Sequence, residues 1–299
     1  VQPGHPPLSV VLGTTQPWPE LEPLIESVVP QAREIGAEVI VVDNNGAGLP
    51  VKLASRTPEI VWITDPGASI FRMRSVGMSV ARGDVIALTE DHCLPSPGWC
   101  KAHVEGHAAH PDVPAVGGPV ANGATGKLSA WGSFLINHSD WMPPTESGPR
   151  RMVDRANISY KRAVVPQTPT PPEVAEPLID DHLLRSNAKF FFNADAPVTH
   201  SQSFGLRGTL SIHFHSGRSL AGSRVRRGLG LGGRLAHAIT SALLGPAMFV
   251  QTVRRTARRP KSARVLASLP MAFAVASAIS AGLVIGYLTG PGDSARQIR

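Results

Sequence analysis

The chain has 299 residues, and its formal net charge of +7 hides an asymmetry: residues 1–200 carry 15 basic and 21 acidic residues, residues 201–299 carry 14 and 1. A basic end of this kind binds either nucleic acid or an anionic membrane. Two cysteines, Cys93 and Cys100, exclude a disulfide framework and suit a reducing compartment.

The first residues, Val1 to Pro7, lack a charged stretch followed by a long apolar run, so no signal peptide is expected. Leu8 to Gly13 is a short apolar strand ending at Thr14. Leu21, Leu24, Ile25, Val28, Ala32 and Ile35 then keep a helical stripe. Pro19 suits its first turn, Pro30 should kink it, and Gly36 can close it. Glu38 to Val42 is a second strand, ending at Asp43, and Ile60 to Ile63 a third, ending at Asp65. The spacing predicts a helix over 69–81, carrying Arg72 and Arg74.

The fourth strand, Val85 to Leu88, is unbroken and apolar, as in a strand buried on both faces. It runs into Glu90, Asp91 and His92. Unpaired carboxylates are too costly to bury in a core. Strands alternating with helices predict a largely parallel α/β sheet. Each strand ends on a polar residue: Thr14, Asp43, Asp65, Glu90 and Asp91. One such end is ordinary turn chemistry, whereas several along one edge point to a ligand crevice.

Helices are expected over 99–110 and 127–137, and strands over 115–120 and within 152–161. Residues 163–177 hold five prolines and read as an irregular loop. A helix from Leu178 to Arg185 and a strand from Lys189 to Asn193 lead to His200. His103, His107 and His110 share one helical face, with Cys100 a turn earlier. That pattern fits a zinc site, but more often an exposed face.

Beyond residue 222 the chain changes character. Leu235 to Val253 is uncharged, and residues 254–264 carry six basic residues. Val265 to Thr289 follows with no charge; as a helix its 25 residues reach about 37 Å, against a hydrocarbon core of roughly 30 Å. This reads as a membrane-associated tail, 223–299, with a transmembrane helix over 265–289. Arginines flanking lipid-length apolar stretches disfavour nucleic acid as the partner.

Taken together, the motifs resemble the inverting nucleotide-sugar glycosyltransferases of family 2, which have the GT-A fold. The resemblance rests on Leu8-Ser-Val-Val-Leu-Gly-Thr-Thr15, Val41-Val42-Asp43-Asn44-Asn45-Gly46, Met73-Arg74-Ser75-Val76-Gly77, Gly83-Asp84 through Asp91, and Arg155-Ala156-Asn157 ahead of Lys161-Arg162. His213-Phe-His215-Ser-Gly217-Arg218-Ser219 is similar to a segment that follows the domain in membrane-linked members. The chain departs from the family at Thr89, where the metal motif usually has its first Asp, and at the proline-rich loop, which replaces a Gly-x-Phe-Asp run.

The resemblance implies a GT-A domain over 1–222 and a divalent metal, Mn or Mg, that neutralises the diphosphate leaving group. It implies Asp91 as metal ligand with Glu90 beside it. His92 and His200 would add ligands to a Mn-like ion. Asp43 is expected on the base or ribose, Arg74 near the diphosphate and Asn157 near the donor sugar. Thr14, Asp65 and Glu90 complete the donor edge. Glu176 is the expected general base, with Glu173, Asp180 and Asp181 as competitors.

The implied activity is sugar transfer from a nucleotide-sugar to a lipid-linked or glycan acceptor at the cytoplasmic membrane face. A polyprenyl-phosphate glycosyltransferase is one alternative. A nucleotide-sugar-binding pseudoenzyme, suggested by Thr89, is another. A dinucleotide-dependent dehydrogenase is disfavoured, because no Gly-x-Gly-x-x-Gly follows the first strand. For topology, a single span over 265–289 is expected. Residues 235–253 would lie in the interface, and the arginines of 224–234 and 254–264 would share one side.

Overall fold

The computed structural model describes residues 4–297 apart from 19, 47, 49–56, 58–59, 167–174, 203 and 258–261. The side chains of 175–178 and 295–296 also lie outside the described set. Contacts divide the chain into two compact units, 1–121 with 141–201, and 122–140 with 202–299.

The first unit is built on an eight-stranded sheet. Its strands are β1 (Leu8–Thr14), β2 (Glu38–Asp43), β3 (Ile60–Thr64), β4 (Val85–Glu90), β6 (Ala115–Gly117), β8 (Gly148–Arg150), β9 (Asn157–Lys161) and β10 (Phe190–Phe192). Their order is β3-β2-β1-β4-β9-β6-β10-β8. The first four are mutually parallel, as the alternating pattern predicts, and β9 enters antiparallel between β4 and β6. A second sheet joins β5 (Cys93–Pro95), β11 (Val198–His200) and β7 (Val120–Asn122) in the order β5-β11-β7. The strand expected over 115–120 is therefore two strands, interrupted at Gly118-Pro119, where any Cβ on Gly118 would meet the Ala196 carbonyl.

Helices cover this sheet. α1 (Glu22–Ile35) continues through Pro30 and closes at Gly36. α2 (Ile70–Val80) starts at Ser69, whose hydroxyl accepts the Arg72 amide. A Cβ on Gly77 would lie 2.3 Å from Val11, so only glycine lets α2 settle on β1. That close seat buries Met73 and Arg74 together, one in the core and one at the crevice edge. α3 (Trp99–Ala109) follows β5.

A buried knot locks the opposite edge of the sheet. The Ser9 hydroxyl donates to Glu38 and accepts the Gly83 amide, both at 2.7 Å, and Glu38 also accepts from the Arg82 guanidinium at 2.9 Å. Burial pushes the Glu38 carboxyl up, but these bonds from Ser9 and Arg82 outweigh it and leave it lowered.

The second unit is helical: α4 (Leu128–His138), α6 (Leu206–Arg226), α7 (Leu231–Ala257) and α8 (Ala263–Thr289). The expected division at residue 222 thus falls inside α6. Leu135 and Ile136 of α4 pack against Val265, Ala272 and Val275 of α8. α6 lies so close to α8 that a Cβ on Gly282 would meet the Phe214 carbonyl. α7 runs back along α8: Arg234 bonds Tyr287, Ser280 donates its hydroxyl to the Ser241 carbonyl, and Phe249 meets Phe273 edge-on.

Leu269–Thr289 is long and apolar enough to cross a membrane, by length and composition. Arginines stand at both ends of α8. Arg264 donates to the Thr125 carbonyl at its start. At its end Arg218 donates to the Gly290 carbonyl and Arg234 to the Tyr287 and Leu288 carbonyls, which the helix leaves without intrahelical donors, while Arg224 donates to the Tyr287 hydroxyl. From Arg264 to Tyr287 is about 35 Å of helix. α7 folds back antiparallel along α8, with Arg234 beside Tyr287 at one end of the pair and Arg255 and Arg264 toward the other.

Candidate active site

β4 is fully buried from Ile86 to Thr89 and surfaces at Glu90, the last rung of its parallel ladder with β1, opposite Gly13. The chain then turns through Asp91 and His92 and enters β5. β11 pairs antiparallel with β5, setting His200 opposite Cys93, and the Ser201 amide donates to the His92 carbonyl at 2.9 Å. Glu90, His92, Cys93 and His200 thereby bring one ligand atom each within 4.8 Å of one another. His92 Nε2 lies 3.0 Å from Glu90 Oε2 and 3.0 Å from His200 Nε2, and His200 Nε2 lies 3.4 Å from the same carboxylate oxygen.

The electrostatics follow from this crowding. Burial pushes the Glu90 carboxyl up, but the His200 and His92 hydrogen bonds, with the charges of His92 and Arg74, hold it well below 4.5. Burial pushes His92 down, and the Asp91 and Glu90 carboxylates more than reverse that, raising it to about 9. Burial drives the Cys93 thiol well above its usual range, and the neighbouring Glu90 and Asp154 charges add to the rise.

Asp91 is not one of the four clustered residues but borders them through His92. Its Oδ2 accepts from the Thr14 hydroxyl at 3.2 Å and the Thr15 amide at 3.0 Å, and its Oδ1 lies 2.9 Å from His92 Nδ1. Of the two expected metal ligands, the fold brings His200 into the cluster and turns Asp91 toward His92 and the end of β1. Thr14, expected at the donor, is buried and spends its hydroxyl on Asp91.

Asp43 closes β2 one strand further along. It is 2% exposed; Oδ1 accepts the Asn45 amide at 2.8 Å, and among the described residues Oδ2 has no hydrogen-bond partner. Asp65 accepts from Arg72 Nε at 2.7 Å. Arg74 is buried and pairs with Glu90 Oε1 at 3.3 Å.

Asn157 is 0% exposed and its amide is fully used. Oδ1 accepts from Trp99 Nε1 at 2.8 Å and lies 3.2 Å from His103 Nε2; Nδ2 donates to the Pro119 and Ala196 carbonyls. Such an amide has no capacity left for a donor sugar. It ties β9, α3 and the β7 and β11 connections together. The histidine face of α3 is turned inward, and among the described residues it forms no cluster of metal-ligating atoms. His103 and His107 are buried against the Ser159 hydroxyl at 2.8 and 3.0 Å, Cys100 is buried, and His110 stacks on Phe191. Burial holds His103 down to about 4, and burial with the His103 and Lys161 charges holds His107 down to about 3.

Glu176 falls in the first turn of α5 (Ala175–Arg185), and its side chain lies outside the described residues, as does Glu173. Asp180 is buried and accepts from Arg155 Nε and the Tyr160 hydroxyl, both at 2.7 Å. Asp181 pairs with Arg185 one turn on, at the surface.

The family model for glycosyl transferase family 2 matches residues 9–162, which is more than half of the chain and contains β1, β2, α2 and the Glu90 edge. The chain belongs to glycosyl transferase family 2. A search of curated proteins finds no match. Among solved structures, the mannosyltransferase PcManGT from Pyrobaculum calidifontis, in complex with GDP-Man and Mn2+, is 14% identical with a TM-score of 0.58. That alignment covers 94% of this chain and 87% of that one. GalNAc-T7 with UDP, GalNAc and Mn2+ is 16% identical with a TM-score of 0.50, over 68% of this chain and 45% of that one. This chain thus spans less than half the length of GalNAc-T7. The two likenesses carry the fold: the first unit is GT-A, with a mainly parallel central sheet.

Against that family pattern the departure at Thr89 has a structural reason. Thr89 is fully buried, donates its hydroxyl to the Ala156 carbonyl at 3.0 Å and hydrogen-bonds the Cys93 thiol, so its side chain is committed to the frame behind the cluster. One, three and four residues later Glu90, His92 and Cys93 bring their ligand atoms together with that of His200. The carboxylate and two imidazoles suit a divalent transition metal. Sequence reasoning missed Cys93 in this group. The signal was available, since a cysteine next to His92 at the mouth of a strand end is two potential ligands in a row.

Proposed function

We propose that this family 2 glycosyltransferase moves a sugar from a nucleotide-sugar donor to a lipid-linked or glycan acceptor at the cytoplasmic face of a membrane, with inversion. The observation that carries the reading is the placement of two polar groups on one sheet edge. Asp43 Oδ2 is buried with no hydrogen-bond partner among the described residues, and the Glu90–His92–His200 cluster stands two strands away. Strands lie about 4.8 Å apart, so the two are separated by roughly 10 Å. That is room for a nucleoside end at Asp43 and a diphosphate at the cluster. The donors and Mn2+ bound by PcManGT and GalNAc-T7 support the same class of ligand.

In this reading Glu90, His92 and His200 hold a divalent ion, and Asp91 orients His92 through its Nδ1, the part outer carboxylates take at metal-bound imidazoles. When bound, such an ion neutralises charge on the departing diphosphate. Arg74 adds a guanidinium to the same phosphates. Asp43 accepts a hydrogen bond from the base or ribose. Asp65, held by Arg72, and Thr14, holding Asp91, shape the edge. Glu176 takes the acceptor proton as the hydroxyl attacks the anomeric carbon from the face opposite the nucleotide. Asn157 holds the frame beneath.

The apolar second unit supports a membrane-bound setting. Leu235, Ile239 and Leu243, spaced four apart along α7, and Phe273 of α8 are 47–69% exposed, and exposed apolar stripes of this kind mark membrane or partner surfaces. A thermal-shift screen of UDP-, GDP- and dTDP-sugars, with and without Mn2+, tests the donor reading. A ligand that binds the folded state raises its stability. A metal-dependent shift with at least one donor is expected; no shift with any donor overturns the reading.

A further inference from the structure

The donor set at the Glu90 cluster is unusual for hard-ion chemistry, which takes carboxylate and other oxygens. Among its four potential ligands only Glu90 offers oxygen. Two are imidazoles and one is a thiol. Resting on the reading that this cluster holds the enzyme's divalent ion, we infer that the ion it holds best is thiophilic, of the zinc class, bound by the Cys93 thiolate together with Glu90, His92 and His200.

The backbone presents these groups rigidly. Cys93 and His200 are direct partners across the antiparallel β5–β11 ladder, so their side chains leave on the same face, with Cβ atoms about 5 Å apart. β5 is pinned at both ends, by the Ser201 amide on the His92 carbonyl and the Ser96 amide on the Pro197 carbonyl. Glu90 arrives from β4 and His92 from the turn between the strands. Four ligands of N, O and S type match the tetrahedral preference of zinc, and thiolate selects zinc-class ions over magnesium or manganese. Binding the ion expels the Cys93 thiol proton to solvent and leaves a metal–thiolate bond.

The bland account is that Cys93 is a small buried apolar residue. Cys100 is the internal control for it. It is buried to the same degree, yet it belongs to no such ligand group among the described residues. The two cysteines therefore separate under one measurement.

The full chain, stripped of metal with a chelator, is titrated with Co2+ while its absorption is recorded. Thiolate ligation produces a sulfur-to-cobalt charge-transfer band in the near ultraviolet; nitrogen and oxygen ligation produces only weak visible bands. The band is expected in the parent and in Cys100→Ser, and absent in Cys93→Ser. Because Cys100→Ser leaves the cluster untouched, a band there assigns Cys93 even if Cys93→Ser fails to fold. Zn2+ should displace the cobalt at concentrations roughly tenfold or more below those needed for Mn2+. Visible bands that vanish in Glu90→Gln, with no charge-transfer band in the parent, overturn the thiolate and leave the divalent site standing. No cobalt binding at all overturns both.

Discussion

His200 lies opposite Cys93 on the β5–β11 ladder while its Nε2 stands 3.4 Å from Glu90 Oε2, so a residue 110 positions further along the chain completes the end of β4. The cluster is thus a product of two sheets meeting: the parallel sheet delivers Glu90, and the small antiparallel sheet delivers the imidazole and the thiol.

Asp43 carries the most specific prediction for donor binding. Replacing Asp43 with Asn keeps the acceptor for the Asn45 amide and removes the buried oxygen that has no partner among the described residues. Loss of a hydrogen bond to a charged group costs about 1.5–3 kcal/mol, so donor affinity should fall roughly 10- to 100-fold by calorimetry. The melting temperature of the unliganded variant should hold or rise. Parent-like donor affinity would remove Asp43 from the site.

The base assignment separates two neighbouring carboxylates by what each loses. Glu176→Gln should keep donor binding and lose about 10²–10⁴-fold in turnover. Asp180→Asn should instead lose stability, because its buried carboxylate accepts from both Arg155 and the Tyr160 hydroxyl; about 1–3 kcal/mol is expected by urea denaturation. Full turnover in Glu176→Gln with a dead but stable Asp180→Asn would exchange the roles.

Most of the parallel half of the fold was legible because its strands are short, apolar runs ending on polar residues, and its helices keep a clear 3.6-residue stripe. The edge that gathers Thr14, Asp43 and Glu90 followed from that reading. What was not legible depended on distant pairing. Asn157 looked like a sugar contact because its neighbours fit a motif, but burial and four hydrogen bonds commit it to the frame. His103 and His107 looked like an exposed face because their partner Ser159 lies more than fifty residues away. The tail's hydropathy indicated a long apolar helix but not which helix folds back on it; that took the Arg234–Tyr287 contact.

Acid should weaken the fold through the α3 histidines. His103 and His107 are held down to about 4 and about 3, against 6.5 for the unperturbed ring. Between those values and 6.5 the unfolded chain binds more protons than the folded one, so stability is complete above pH 6.5 and is lost as pH falls. Melting temperature should decline steadily from pH 7 to 4.5, with a shallower decline in His103→Gln. An identical slope in that variant would show that the ring does not titrate with unfolding.

In the second unit, α7 running back along α8 places residue 230 with residue 294 and away from residue 262. We expect this group of helices to enter the membrane together. In a Cys93→Ser, Cys100→Ser background, single cysteines at Gly230 and Ser294 should react alike with an impermeant thiol reagent on intact cells, and Ser262 oppositely. Labelling at 294 without labelling at 230 would instead support a single span with an interfacial 235–253.

The most direct measurement is nucleoside diphosphate release by the full chain from a panel of UDP-, GDP- and dTDP-sugars, after chelation and after divalent metal is restored. The account predicts release from at least one donor, stopped by the chelator, recovered with metal, and lost in a folded Glu90→Gln variant. Release indifferent to chelation and to Glu90→Gln, or no release from any donor, would contradict it.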